Sequence, residues 1–273
     1  MKRMEEAMMQ QKKIAVVIGG GNGIGAATVK VMAGRGWRVV AADIDADAAR
    51  AVASEQADCM GIALDVTDAE AMTEAASRIE AELGPVSALV VSSGAFQESL
   101  PPHRMTDDAW SRVMQVNLDG TWQANRIFGT RMAERGAGSI VNIASVTGLF
   151  SSPLVAYGTS KAAVIGLTRN LSGEWGRSGV RVNSVSPGVT LVERILKHRR
   201  QGTRYYGGDF DTHAAMGRSV EPVEVAEAVE FLASDRASAI TGIDLPVDCG
   251  WLTAAPWEMF GGCRPAVNAE AAK

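Results

Sequence analysis

Short, wholly apolar runs alternate along this chain with longer stretches whose apolar positions recur at helical spacing. Ile14-Ala15-Val16-Val17-Ile18 contains no polar position at all. A five-residue run of that kind, ended by glycine, suits a strand buried on both faces rather than one with a wet side. Similar runs occupy 37–43, 60–64, 88–92, 139–143, 180–185 and 243–247. Between them lie alanine-rich amphipathic stretches, such as 68–83, where Met72, Ala75, Ala76 and Ile79 share one helix face. Strand and helix in strict alternation predict right-handed βαβ units, hence an α/β fold with a doubly wound parallel sheet and helices on both faces.

The alternation holds through 13–250, with no repeat and no linker, which predicts a single domain. It fails over 193–220. There Arg194, Lys197, His198, Arg199, Arg200 and Arg204 give way to Gly207-Gly208-Asp209-Phe210-Asp211. An irregular insertion of that length inside a compact domain reads as a lid or substrate loop. Its basic run admits two readings: selection of a polar or anionic substrate, or a solvated helix face or subunit contact. Residues 1–12 read as an N-terminal arm without the apolar core of a secretory signal, and 251–273 as a C-terminal tail.

Composition narrows the partners. With 273 residues, 47% hydrophobic and 21% charged, the chain has the make-up of a globular enzyme-sized domain. A net charge of −4 gives no general attraction to nucleic acid or an anionic membrane, and no apolar run is long enough to span one. Cys59, Cys249 and Cys263 lack metal-ligand spacing, as do His103, His198 and His213. Reduced thiols in a cytoplasmic, metal-free protein are therefore expected.

The first strand runs into Gly19-Gly20-Gly21-Asn22-Gly23-Ile24-Gly25 and then a helical stretch. A glycine-rich strand-to-helix turn lets the backbone approach a pyrophosphate at a helix N-terminus, although a tight connection alone would also account for it. Asp43 closes the second strand, where a carboxylate can accept hydrogen bonds from the adenosine ribose hydroxyls and would repel a 2′-phosphate. No cation in the turn could hold such a phosphate, so NAD is expected over NADP. Asp65, after the third strand in Leu64-Asp65-Val66, reads either as an adenine neighbour or as a helix cap, a role Asp68 could equally fill.

Tyr157 and Lys161 lie one helical turn apart and share a face. An ammonium beside a phenol favours phenolate, which makes such a tyrosine a proton donor or acceptor near working pH. Ser145 follows a strand end, where its hydroxyl can meet a substrate oxygen, and Asn117 interrupts an apolar helix. Their plain readings are a turn serine and a buried structural amide.

Taken together, the Gly19/Gly23/Gly25 turn, Asp43, Asp65, Asn117, Ser145, Tyr157-x-x-x-Lys161 and Pro187-Gly188, in this order, resemble the short-chain dehydrogenase/reductase family over about residues 12 to 250. The resemblance implies a seven-stranded parallel Rossmann sheet assembled as a homotetramer or homodimer. It implies Tyr157 as acid/base, Lys161 as the residue that tunes it and binds the nicotinamide ribose, Ser145 steadying the substrate oxygen, and Asn117 holding a water. The implied NAD contacts are Gly19, Asn22, Gly23, Ile24, Gly25, Asp43, Asp65, Val66, Gly94, Tyr157, Lys161, Pro187, Gly188 and Val189. Ile18, Ser92-Ser93, Val192 and Cys249 depart from the family's usual residues, which leaves the catalytic groups intact but changes the surroundings of the cofactor and the sheet.

Hydride transfer between NAD(H) and a secondary alcohol or ketone is the expected function. Two alternatives stand beside it: an NADP(H)-dependent ketoacyl-type reductase, and a non-catalytic NAD-sensing or scaffold protein on the same fold. A hydrolase is excluded by the absence of a G-x-S-x-G elbow.

Overall fold

The computed structural model describes residues 12–202 and 210–267. Most of the 1–12 arm, Arg204 and the Gly207-Gly208-Asp209 segment of the insertion lie outside the described residues. Among the described residues, seven strands form one all-parallel sheet: β1 (Ile14–Ile18), β2 (Arg38–Asp43), β3 (Cys59–Ala63), β4 (Val86–Val91), β5 (Gly138–Ile143), β6 (Val180–Pro187) and β7 (Asp244–Val247). Their order in space is β3-β2-β1-β4-β5-β6-β7. The chain therefore winds outward in both directions from the β1/β4 pair, and the crevice for a ligand opens at the carboxyl ends of those two strands.

The apolar runs of the five inner strands are buried on both sides, as their lack of alternation predicts, whereas the edge strands β3 and β7 are mostly only half-buried. Ile14, Val16 and Ile18 of β1 enter one core layer, and Ala15 and Val17 enter the other. The first layer takes helices α3 (Ala69–Leu83) and α5 (Gly120–Arg135), through Met72, Ile79, Phe128 and Met132. The second takes α1 (Gly23–Gly34), α2 (Ala46–Ser54) and α9 (Pro222–Ala233), through Val29, Met32, Val52, Val229 and Leu232. Helices α4 (Asp107–Met114) and α6 (Val155–Trp175) complete the regular part, with α4 joined to α5 by a π turn, Gln115–Asp119.

The insertion is partly helical. α7 (Glu193–Arg200) and the short α8 (Phe210–His213) stand on a parallel bridge between Thr190 and Val220. After β7, the turn α10 (Trp251–Ala254) carries the chain back toward the carboxyl ends of the strands.

The glycine-rich turn is dictated first by packing. A methyl group on Gly25 would sit 1.9 Å from the Gly19 carbonyl oxygen, and one on Gly19 would sit 2.5 Å from the Ser93 nitrogen. Gly34, at the exposed far end of the same helix, has nothing within 4 Å of the corresponding point. We expect Gly25→Ala to destabilise the fold by about 3 kcal/mol or more, since the obstruction is backbone. Gly34→Ala should instead stabilise it by about 0.5–1 kcal/mol through helix propensity. Chemical denaturation of the two variants checks the contrast; equal effects would show that the turn is not packed in this way.

Candidate active site

A cavity of about 750 Å³ opens over the carboxyl ends of β1, β4, β5 and β6. Three elements bring chemistry to it. The glycine-rich turn contributes Asn22, Gly23 and Ile24; the end of β5 contributes Ser145; α6 contributes Tyr157 and Lys161. Gly94, Pro187, Gly188 and Val189 also line it. Gly23 (φ +54°) differs from its motif partners, because a methyl group there would meet only the Val192 side chain, at 3.1 Å.

Lys161 is almost fully buried, and its ammonium donates a 2.8 Å hydrogen bond to the carbonyl of Ile143, the last residue of β5. Burial lowers its pKa to about 8, because the charged form loses water. The Nζ atom lies 5.7 Å from the Tyr157 ring centroid, so the two side chains share a helix face and a cavity wall. The Ser145 oxygen accepts hydrogen bonds from the Thr147 N–H at 3.2 Å and the Thr147 hydroxyl at 2.9 Å. With its lone pairs engaged, the Ser145 hydroxyl proton is the group left for a substrate oxygen.

Asn117 sits in the π turn between α4 and α5, an extra residue that aims its amide into the core instead of along the helix surface. Its side chain is fully buried. Oδ1 accepts from the Ala95 N–H at 2.7 Å, while Nδ2 donates to the Ala95 carbonyl and the Ser160 hydroxyl, both at 3.0 Å. Asn117 thus ties the loop after β4 to the helix that carries Tyr157.

That loop has a second fastening that the sequence motifs do not announce. Tyr157 lies in the first turn of α6, where backbone N–H groups lack helical partners, and Leu154 at the N-cap supplies no side-chain bond. The Gln97 Oε1 atom accepts from the Tyr157 N–H at 2.9 Å, a cap delivered from a distant loop. Between the two fastenings, the Phe96 ring stacks on the Tyr157 ring with centroids 4.3 Å apart. The Arg194 guanidinium also lies over the Phe96 ring, at 3.5 Å. An uncharged aromatic near a glycine, and one arginine within a basic run, give no periodic signal from which this stack could be read.

Other expected residues divide. Asp43 ends β2 beside the glycine turn, where its carboxylate accepts from the Gly21 N–H at 2.9 Å and the Asp45 N–H at 3.0 Å. Asp65 accepts twice from Thr67, and Asp68 is the residue that caps α3, at the Ala71 N–H. The Val66 side chain is buried against Gly120, so it faces the core. Of the basic run, Arg199 is tied to Asp211 and Ser219, Arg200 pairs with Glu193, and Lys197 is exposed. Among the described members of that run, Arg194 is the one that lines the cavity. Ser93, one of the departures from the family pattern, has a buried hydroxyl with no partner. Among the described residues no group of His, Cys, Asp and Glu could hold a metal ion, and no helix is long and apolar enough to cross a membrane.

The residues present fit a dinucleotide. α1 begins at the cavity with no side-chain cap from Asn22 and no acidic residue in its first turn, so its N–H groups and positive dipole end face the opening. Comparison with known proteins agrees. A family model described as enoyl-(acyl carrier protein) reductase matches residues 19–252. The chain is 44% identical to galactitol 2-dehydrogenase (L-tagatose-forming) of Cereibacter sphaeroides, over 87% of this chain and 94% of that one. It is 38% identical to D-threitol dehydrogenase of Mycolicibacterium smegmatis, over 88% and 92%. A crystal structure described as ribose-5-phosphate isomerase from Brucella melitensis 16M superposes with a TM-score of 0.88 at 43% identity, covering 93% of this chain and 98% of that one.

The buried lysine makes a pH-dependent prediction. Its pKa falls from an ordinary 10.5 in the unfolded chain to about 8 in the folded one, so between those values the unfolded chain binds more protons and stability rises with pH. Relative to Lys161→Met, the parent without cofactor should therefore gain up to about 3 kcal/mol on going from pH 8 toward 10.5, and nothing below pH 8. Urea unfolding of both proteins across that range checks this; a difference independent of pH would contradict it.

Proposed function

Because the chain belongs to the short-chain dehydrogenase/reductase family, we propose that it is an NAD-dependent dehydrogenase that oxidises a secondary alcohol to a ketone, and can run the reverse. The observation that carries this reading is convergence. Ser145, Tyr157 and Lys161 open into the same cavity as the uncapped N-terminus of α1, so the reactive end of a dinucleotide bound there would meet an acid/base pair. A bound nicotinamide supplies the hydride acceptor for oxidation, and the donor for reduction.

The protein's own part is proton and charge handling. In oxidation the substrate hydroxyl lies between Ser145 and Tyr157. Tyr157 takes the hydroxyl proton as phenolate, while the Ser145 hydroxyl donates to the substrate oxygen as charge builds there. The Lys161 ammonium favours the phenolate electrostatically, and its bond to the Ile143 carbonyl fixes where that charge sits. Asn117 and Gln97 hold the loop and helix that set the Tyr157 position.

Preference for NAD rests on Asp43. Its carboxylate is held by two backbone N–H groups next to the turn, where it would accept from ribose hydroxyls and oppose a 2′-phosphate. Asp65 and the backbone at Val66 complete the adenosine end in this reading. Exposed Trp257, Met259 and Phe260 support self-association, as a homotetramer or homodimer. The three free cysteines accord with a cytoplasmic location. A sugar-phosphate isomerase, which the name of the Brucella structure raises, is less well supported. Among the described residues, the cations lining the cavity are Lys161, bonded to a carbonyl, and Arg194, stacked on Phe96, not a cluster that would seat a phosphate dianion.

Tyr157→Phe should bind NADH nearly as the parent does and lose about 10²–10⁴-fold in turnover. Nicotinamide absorbance with an alcohol panel reads the rate, and undiminished turnover when chemistry limits would refute the role. In titrations, NADH should bind more tightly than NADPH, and Asp43→Ala should narrow the gap. Tighter NADPH binding by the parent would overturn the cofactor assignment.

A further inference from the structure

Beyond the reacting end, the cavity is walled by aromatic rings. Phe96, Phe150, Phe210 and Trp251 line it, with Trp251 set against Phe150 at 4.7 Å and against Phe210 at 6.2 Å between centroids. Both pairs are tilted, by 46° and 36°. None of these four rings is fully buried, so each keeps apolar surface uncovered. They come from segments far apart in sequence: the loop after β4, the stretch before α6, the insertion and the turn that follows β7. Apolar surface gathered into a concavity in this way is what a ligand covers.

Phe96 is held edge-on. The Tyr157 ring stacks on it at 4.3 Å with the planes 20° apart, and the Arg194 guanidinium lies 3.5 Å from its centroid. Two groups that close cannot share one face, so each covers its own, and the part of the ring left open is its rim. The rim is the positive part of a ring's quadrupole and attracts the face of another ring. Since Phe96 is stacked on Tyr157, this rim borders the place where the reacting carbon would lie.

Several of the polar groups on the wall are already engaged. The Thr147 hydroxyl donates to Ser145, the Ser152 oxygen accepts from the Leu154 N–H, and the Glu193 carboxylate pairs with Arg200. The indole N–H of Trp251 is buried and presents no exposed donor. An open-chain polyol would have to bury hydroxyls against these rings, and each one left without a partner lowers its capture about fivefold to a hundredfold. A flat apolar ring loses nothing there. An aromatic one also gains, from the tilted faces and the Phe96 rim, an attraction that a saturated ring of the same size lacks.

From this arrangement we infer that the substrate is a secondary alcohol whose larger substituent is an aromatic ring, a 1-arylalkanol, and that Phe150, Trp251 and the rim of Phe96 select it. The inference rests on the dehydrogenase reading above and narrows it. The carbinol C–H bond breaks as hydride passes to NAD, the hydroxyl proton passes to Tyr157, and the products are an aryl ketone, NADH and one proton. The aryl ring packs among Phe96, Phe150 and Trp251 while the carbinol oxygen meets Ser145 and Tyr157.

The test compares kcat/KM with NAD for 1-phenylethanol, 1-cyclohexylethanol and galactitol, with the enantiomers of the first two taken separately. The better enantiomer of 1-phenylethanol should exceed galactitol by about a hundredfold or more. In Phe150→Leu or Trp251→Leu the ratio of 1-phenylethanol to 1-cyclohexylethanol should fall by about two- to tenfold, the scale of one aromatic pair. The intrinsic reactivities of the two carbinols cancel in that comparison. The inference is overturned by a ratio unmoved in both variants, by galactitol used as well as 1-phenylethanol, or by 1-phenylethanol left untouched while another alcohol is turned over. If no alcohol reduces NAD or NADP, the dehydrogenase reading is what fails. The aromatic seat is then decided by saturation-transfer NMR of acetophenone with NADH present. Transfer to its ring protons that weakens in either variant supports the seat, and transfer that is absent from the parent, or unchanged in both variants, refutes it.

Discussion

A buried ammonium is expensive, and the cost of placing Lys161 inside the domain shapes what surrounds it. Burial alone brings its pKa down to about 8, and the compensation visible in the structure is the carbonyl at the end of β5. That carbonyl is available because the strand ends there and the chain turns into the Ser145 segment. The helix must then run close enough to the strand end for a lysine side chain to reach it. A network of buried hydrogen bonds secures this approach: Asn142 of β5 exchanges hydrogen bonds with Asn125 of α5 and donates to Thr168 of α6. These amides are buried and paired, which fixes the helix relative to the strand more sharply than apolar packing would. Removing one partner would leave the rest unpaired in the core.

Geometry at the other side of the cavity follows from the sheet's winding. Since β1 and β4 are neighbours while their connections leave in opposite directions, the segments that follow them must pass close to one another. Gly19 and Ser93 approach until no side chain fits between them. The same closeness leaves the N-terminus of α1 uncapped at the opening and places Ala95, Phe96 and Gln97 over α6. Thus the proposed cofactor cradle and the proposed acid/base are set by one topological feature, and the loop after β4 links them.

Most of the fold is legible in the pattern of residues. Runs such as 14–18 and 88–92 are apolar on both faces because both faces are covered, and few arrangements besides a doubly covered sheet call for that pattern in a chain of this size. The glycine turn and the Tyr157/Lys161 spacing are legible for a similar reason: each needs a particular residue at a particular offset. Interactions that join segments lacking periodicity leave no such trace. Gln97 as a remote helix cap and Phe96 as a stacking partner are ordinary residues until the topology brings them to Tyr157. The basic run misleads as a unit. Its members are close in sequence, yet a helical turn sends Arg199 toward Asp211 and Arg194 toward Phe96.

This division has a physical basis that bears on specificity. The residues of the proposed cofactor cradle and acid/base are placed by the strands and by buried hydrogen bonds, so they tolerate little movement and announce themselves by regular spacing. The far wall of the cavity is instead built largely by side chains from the loop after β4, the insertion and the turn after β7, none of which the sheet constrains in register. Exchange of a ring or charge there alters what fits without disturbing the amide network or the lysine. Arg194 illustrates the point: its place over Phe96 depends on α7, which stands on the Thr190–Val220 bridge, whereas Phe96 is fastened from both sides. The rigid partner is neutral and the adaptable one is charged. An arrangement of that kind lets Tyr157 stay in position while the charge beyond Phe96 is free to vary with the segment that bears it.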